Sequence, residues 1–178
     1  ILLTFFSCSL YQDNDEPNIF FQFSDFEILE LGKSFSDMII SGVQSAIYLS
    51  DYNNNSLLKI NTQNSLLIEK HAIVGSHPIA LDINSDESII AIAHEGESSI
   101  LILNSQDLEI LNSFSVSLMN MNDLAFINDT TLIISSKTDP SCITLNLISG
   151  EETTQSVLNG ELAMDCLLYT SPSPRDER

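Results

Sequence analysis

Tryptophan is absent and basic residues nearly so: the 178 residues hold 6 Lys and Arg against 25 Asp and Glu, a formal charge of -19. Two of the six, Arg175 and Arg178, lie in the last residues. No patch of the remaining chain can neutralise a run of phosphates, which excludes nucleic-acid binding. The same deficit excludes a polybasic membrane-surface segment. Cysteine is scarce too, at 3 residues, so no disulfide framework is expected. A Gly-rich phosphate loop, a Gly-x-Ser-x-Gly elbow, a His-x-x-x-His pair and a paired-carboxylate motif are all missing, which leaves no signature of nucleophilic or metal catalysis. What is present is apolar. At 43% hydrophobic residues, the chain is too rich in core formers for a disordered acidic segment, and its length suits one domain at most.

The two ends differ from the middle. Ile1-Leu2-Leu3-Thr4-Phe5-Phe6-Ser7 is too short an apolar run to cross a bilayer, and it stops at a small residue followed by Cys8. It resembles the last part of a bacterial lipoprotein signal peptide, in which the cysteine takes the lipid. Residues 1–8 are therefore expected to be a leader remnant with Cys8 as lipidation site; the competing reading is a first strand with an ordinary buried cysteine. Residues 9–17, with Asp13, Asp15 and Glu16, suit a polar tether. At the other end, Cys166-Leu167-Leu168-Tyr169-Thr170-Ser171-Pro172-Ser173-Pro174-Arg175-Asp176 breaks the composition of everything before it. That peptide is what a transposon-type sequencing adapter encodes in frame. Residues 166–178 are expected to be an artefactual or disordered tail, and the natural chain to continue past about Asp165.

The middle repeats. Ala46-Ile47-Tyr48-Leu49-Ser50-Asp51, Ile89-Ile90-Ala91-Ile92-Ala93-His94 and Leu132-Ile133-Ile134-Ser135-Ser136-Lys137 align at a spacing of 43 residues. The same shift superposes Leu57 to Asn61 on Ile100 to Asn104 and on Ile143 to Leu147. Each unit holds four short runs rich in Ile and Leu, separated by turn formers such as Asn84-Ser85-Asp86-Glu87-Ser88 and His94-Glu95-Gly96-Glu97-Ser98. No run has the length or the 3.6-residue period of a helix. Four strands per ~40–45 residues is the spacing of a propeller blade. The expectation is an all-β fold, a partial β-propeller over residues 18–165, with three four-stranded blades at about 33–75, 76–118 and 119–161. Residues 18–32 add a half blade, read as the last two strands of an earlier blade, Ile19 to Phe23 and Asp25 to Leu29, or as the strand that closes the ring. An arc of this kind leaves apolar blade faces open, so association of the chain is expected.

The unit lacks the Gly-His and Trp-Asp pairs of WD40 blades. It resembles instead the YVTN-type repeat of YncE-like propellers, through Ile47-Tyr48-Leu49-Ser50-Asp51, Ile60-Asn61-Thr62 and Gly75-Ser76-His77-Pro78-Ile79-Ala80-Leu81-Asp82-Ile83-Asn84-Ser85-Asp86-Glu87. Glu87 stands where that repeat has Gly, and Met119 to Met121 lack its Gly and Pro. The resemblance covers about residues 36–157 and implies a fold rather than an activity.

Strand order in a blade puts the turn between strands two and three on the same rim as the link from strand four to the next blade. Asp51, Asn53, His77, His94, Glu95, Glu97 and Asp139 are therefore the candidate ligand-facing residues. His77 and His94 stand at non-ligand spacing, and the Asn-rich run 51–55 lacks the Gly and distal Glu of a calcium loop, so neither a metal nor a cofactor is expected. The functional expectation is a non-catalytic scaffold in the bacterial cell envelope, periplasmic or surface-exposed. It would be held to the membrane by its lipid alone and present its rim to a protein or glycan partner. The alternative is part of a lactonase-like or redox propeller enzyme whose catalytic residues lie in blades outside this sequence.

Overall fold

The computed structural model describes residues 2–11, 20–30, 35–63 and 68–156. Of the tether expected at 9–17, residues 9–11 fall in a strand and 12–17 lie outside the described residues, as does the tail 166–178. Within them the chain is all strand: β1 (Leu2–Tyr11), β2 (Phe20–Glu30), β3 (Asp37–Ser41), β4 (Ala46–Asp51), β5 (Ser56–Asn61), β6 (Ile68–Ile73), β7 (Pro78–Ile83), β8 (Ile89–His94), β9 (Ser99–Asn104), β10 (Ile110–Ser115), β11 (Met121–Asn128), β12 (Thr131–Ser136), β13 (Ser141–Asn146) and β14 (Glu152–Ser156). Three four-stranded antiparallel sheets follow in chain order, β3 to β6, β7 to β10 and β11 to β14. These are the three expected blades. The first strand of the middle blade, β7, packs against β3 on one side and β11 on the other, which sets the three at the inner edge of the fan.

The half blade takes a different form. Residues 20–30 make one strand rather than two, paired antiparallel with β1 from Leu2 opposite Glu30 to Tyr11 opposite Phe20. Ser24 and Asp25 favour turns, but with no Gly or Pro beside them the strand continues past them, with Ser24 left out of the pairing register. Cys8 sits on β1 where the register shifts, between Ser7 and Cys8.

Side chains of alternate phase fill the spaces between blades. Blade one contributes Ala46, Tyr48 and Leu57, and blade two contributes Leu81, Ile90, Ile92 and Leu103, to the first inter-blade core. Ala91, Ala93, Ile100 and Ile102 face the other way, onto Leu124, Phe126, Leu132, Ile134, Ile143 and Leu145 of blade three. Each fully buried Ile or Leu contributes roughly 1.5–3 kcal/mol. Polar ties join the same blades. Tyr48 donates its hydroxyl to the Ser105 carbonyl at 2.7 Å, and Lys59, a residue only 4% exposed, donates its ammonium to the Gln106 carbonyl at 2.8 Å.

The repeat is not constant. β4 and β8, and β5 and β9, begin 43 residues apart, but β8 and β12, and β9 and β13, begin 42 apart. The alignment of Leu132 beneath Ile89 is therefore corrected by one residue: Leu132 takes the place of Ile90, and Ile134 that of Ile92. The deletion falls in the first hairpin. Ile40 pairs with Ile47 and Ile83 with Ile90, whereas Phe126 pairs with Leu132, one residue nearer. A one-residue slip in a strand moves every side chain to the other face, so the turn absorbs the loss and the buried phase survives.

Carboxylates clip successive blades at both ends of the inner strands. Asp37 accepts from the Leu81 amide at 2.7 Å, and Asp82 from the Phe126 amide at 2.6 Å. In the turns, Glu87 accepts from the Ser41 hydroxyl at 2.6 Å and the Val43 amide at 2.8 Å, and Asp129 accepts from Ser85 through amide and hydroxyl. The two kinds of clip have opposite pH signatures. Burial first, then the charges of Asp123 and Asp82, push the Asp37 carboxyl above its ordinary range despite its amide donors. The Ser41 hydroxyl, then the Val43 amide, hold Glu87 below its own. A depressed carboxylate stabilises the fold above its unfolded pKa and loses that contribution as pH falls; a raised one contributes at low pH and loses it as pH rises through the folded value. Glu87→Gln is therefore expected to lower the urea midpoint at pH 7 and to have little effect near pH 3. Asp37→Asn is expected to leave the midpoint unchanged or higher at pH 7. Urea titrations of the two variants at both pH values check this, and an equal loss for both at pH 7 would refute it.

Candidate functional site

Of the seven rim residues expected from sequence, two do not face solvent. Asp51 and His94, which both end the second strand of a blade, are fully buried. Asp51 turns back on its own hairpin, accepting from the Asn54 amide at 3.1 Å and from the Asn54 carboxamide at 2.9 and 2.8 Å. His94 lies under the link between β6 and β7, with Nε2 2.7 Å from the Val74 carbonyl and Nδ1 3.3 Å from that of Ser99. Both ring nitrogens face backbone carbonyl oxygens, and the Nε2 contact is the shorter of the two. These side chains shape the turns and are not available to a ligand. The other five are on the surface: Asn53, His77, Glu97 and Asp139 are exposed and Glu95 is partly so.

Part of the rim is a connected array. Tyr52 donates its hydroxyl to Oε2 of Glu95, and Lys137 donates Nζ to Oε1 of the same carboxylate at 2.8 Å. The Tyr52 ring stacks at 4.5 Å, tilted by 36°, on the His77 imidazole. The His77 amide donates to the Asn55 side chain at 2.9 Å, and its carbonyl accepts from the Glu95 amide at 2.9 Å. Once the shorter repeat is allowed for, Tyr52, Glu95 and Lys137 occupy the same position in three successive blades, the first residue after strand two. Blade repetition thus stacks a phenol, a carboxylate and an ammonium in a row. Sequence reasoning missed Tyr52 and Lys137. A constant spacing of 43 set Lys137 beneath His94 and hid its equivalence to Glu95.

The electrostatics follow from these bonds. Lys137 first, then the Tyr52 hydroxyl, hold Glu95 below the usual carboxylate range. The hydrogen bond to Glu95 raises the Tyr52 phenol. Asp139 is lowered by Ser141, whose hydroxyl and amide both donate to it. Away from the rim, a cleft of about 370 Å³ opens among the inner strands, lined by Asp37, Asp82 and Asp123 together with Ser36, Ile79 and Leu81. Among the described residues no group of three or more His, Cys, Asp or Glu side chains has the arrangement of a metal site.

Known proteins resemble this chain in fold. No protein-family model matches it, and no curated protein does. Solved structures do. U3-55K is similar with a TM-score of 0.62 at 20% identity, over 72% of this chain and 41% of that one. The β-propeller domain of Cps50 (Swd1) from Myceliophteria thermophila follows at 0.58 and 6%, over 69% and 38%. Hydrazine synthase of Kuenenia stuttgartiensis is similar at 0.60 and 11%, over 67% and 34%. The fold class is thus the β-propeller, present here as an arc of three blades. The chain spans about a third to two fifths of the length of the structures it matches. At these identities the likeness concerns architecture alone.

Proposed function

We propose that the chain is a non-catalytic interaction scaffold of the bacterial cell envelope, a YVTN-type propeller anchored through a lipid on Cys8, whose rim meets a protein partner. The carrying observation is the array of Tyr52, Glu95 and Lys137, which three successive blades hold in one preformed surface beside His77. A preorganised surface with an aromatic pair at its centre and exposed polar residues around it has the anatomy of a protein interface. The lack of catalytic motifs in the sequence agrees with binding rather than turnover. The Ser7-Cys8 step supports the anchor and with it the compartment, and residues 166–178 are given no part in the function.

One set of cells tests both halves. A photo-crosslinking amino acid at Asn53 is expected to capture a protein partner in bacterial cells, while the same probe at Ser149, in the β13–β14 turn on the opposite rim, captures none. Labelled fatty acid is expected to enter the protein and to be lost in Cys8→Ala. Equal capture at both positions, or none at Asn53, overturns the rim reading, and absence of label from the full-length protein with its complete leader overturns the anchor.

A further inference from the structure

The rim already seats one basic side chain. The Lys137 ammonium rests on Glu95 at 2.8 Å, on the carboxylate that also receives the Tyr52 hydroxyl, and the Tyr52–His77 pair lies alongside. Lys137 is 46% exposed at its side chain and Glu95 33%, so the pair is open to exchange with solvent groups. Glu97 and Asp139 stand exposed on the same rim. An aromatic face beside a carboxylate is the arrangement that takes a guanidinium, which stacks flat on the ring and forks onto the two oxygens. A lysine ammonium is a point charge and uses only part of that arrangement. An anionic ligand is opposed here by Glu95, Glu97, Asp139 and the net charge of -19, whereas a cationic one is drawn in by the same field.

We infer that the rim recognises an arginine side chain on a basic segment of the partner, with Glu95 as the fork acceptor, Tyr52 and His77 as the stacking face, and Lys137 as an internal stand-in that the incoming arginine displaces. The inference rests on the reading of this rim as the contact surface. It predicts an effect larger than bulk charge gives. Removing a cation from an acidic protein raises its attraction for basic peptides only slightly at a distance, but removing the stand-in frees the acceptor itself.

The test uses the full chain and a fluorescein-labelled heptapeptide, Gly-Arg-Gly-Arg-Gly-Arg-Gly, followed by fluorescence anisotropy at ~0.1 M salt, where charges beyond a Debye length are screened. Glu95→Gln is expected to weaken binding by about tenfold, the loss of one charge-assisted fork. Lys137→Ala is expected to tighten it by several-fold, and Tyr52→Ala to weaken it. The lysine version of the peptide is expected to bind more weakly than the arginine one. Glu109→Gln, a charge removed from the opposite rim, is expected to leave binding unchanged. If Lys137→Ala weakens binding, Lys137 is only a brace for the rim and the inference fails. If Glu95→Gln and Glu109→Gln act alike, the peptide senses bulk charge and the inference also fails. Capture at Asn53 with no peptide binding would retain the rim as contact surface and reject arginine as what it reads.

Discussion

Ile134→Asp is expected to unfold blade three, whereas Ile133→Asp one position earlier leaves the fold standing. Ile134 is fully buried and packs with Leu132, Ile143 and Leu145 against Ala91 and Ile100 of blade two. Ile133 is only half-buried and points to the other face of its sheet. Truncating a buried Ile costs about 2–5 kcal/mol through lost transfer energy and the cavity left behind. A carboxylate placed there has no partner and adds several kcal/mol more. The total reaches the whole stability of a typical domain, roughly 5–15 kcal/mol. A polar residue at the half-buried position is expected to cost about 1 kcal/mol. Far-UV circular dichroism with urea titration distinguishes the two. If Ile133→Asp proved the damaging one, the third blade would follow the 43-residue spacing and the corrected register would be wrong.

The same residues show where the sequence was readable. Apolar runs of four to six residues between Asn, Asp, Ser and Gly turns give blade number and strand order directly, because strand length and turn chemistry are local properties. Register in blade three was not local. Leu132-Ile133-Ile134 is apolar at every position, so it offers no alternation by which to choose a phase, and only the shorter turn at Asp129-Thr130 decides it. The stretch from Leu2 to Phe6 is ambiguous in another way, since an apolar run before Ser7-Cys8 satisfies both a leader and a strand. Within the rim, the turns were legible as turns. Burial of Asp51 and His94 was not, since it depends on the Asn54 side chain folding back in one case and on the β6–β7 link crossing above the ring in the other. The connection from Tyr52 through Glu95 to Lys137 spans three blades and emerges only when the repeat is counted on strands rather than on letters.

Gly75 stands where that link crosses His94, and Gly75→Ala is expected to cost far more than Gly96→Ala. Both glycines adopt positive φ, +109° at Gly75 and +76° at Gly96. An L side chain in such a conformation costs of order 1–3 kcal/mol at either site. Surroundings separate them. A Cβ at Gly96 would meet nothing within 4 Å, whereas one at Gly75 would lie 2.9 Å from His94 Nε2 and 3.2 Å from Cδ2. The ring cannot step aside without breaking its bond to the Val74 carbonyl, which would leave a buried acceptor unpaired at a cost of about 1–3 kcal/mol. Gly75→Ala is therefore expected to lose about 3 kcal/mol or more in urea unfolding, and Gly96→Ala about 1 kcal/mol. The clash also predicts a coupling. His94→Ala on its own removes the donor to Val74, but in the Gly75→Ala background it also removes the atom struck, so the double variant is expected to be more stable than the sum of the two losses by about 1 kcal/mol. Strict additivity would mean that the link does not press on the imidazole.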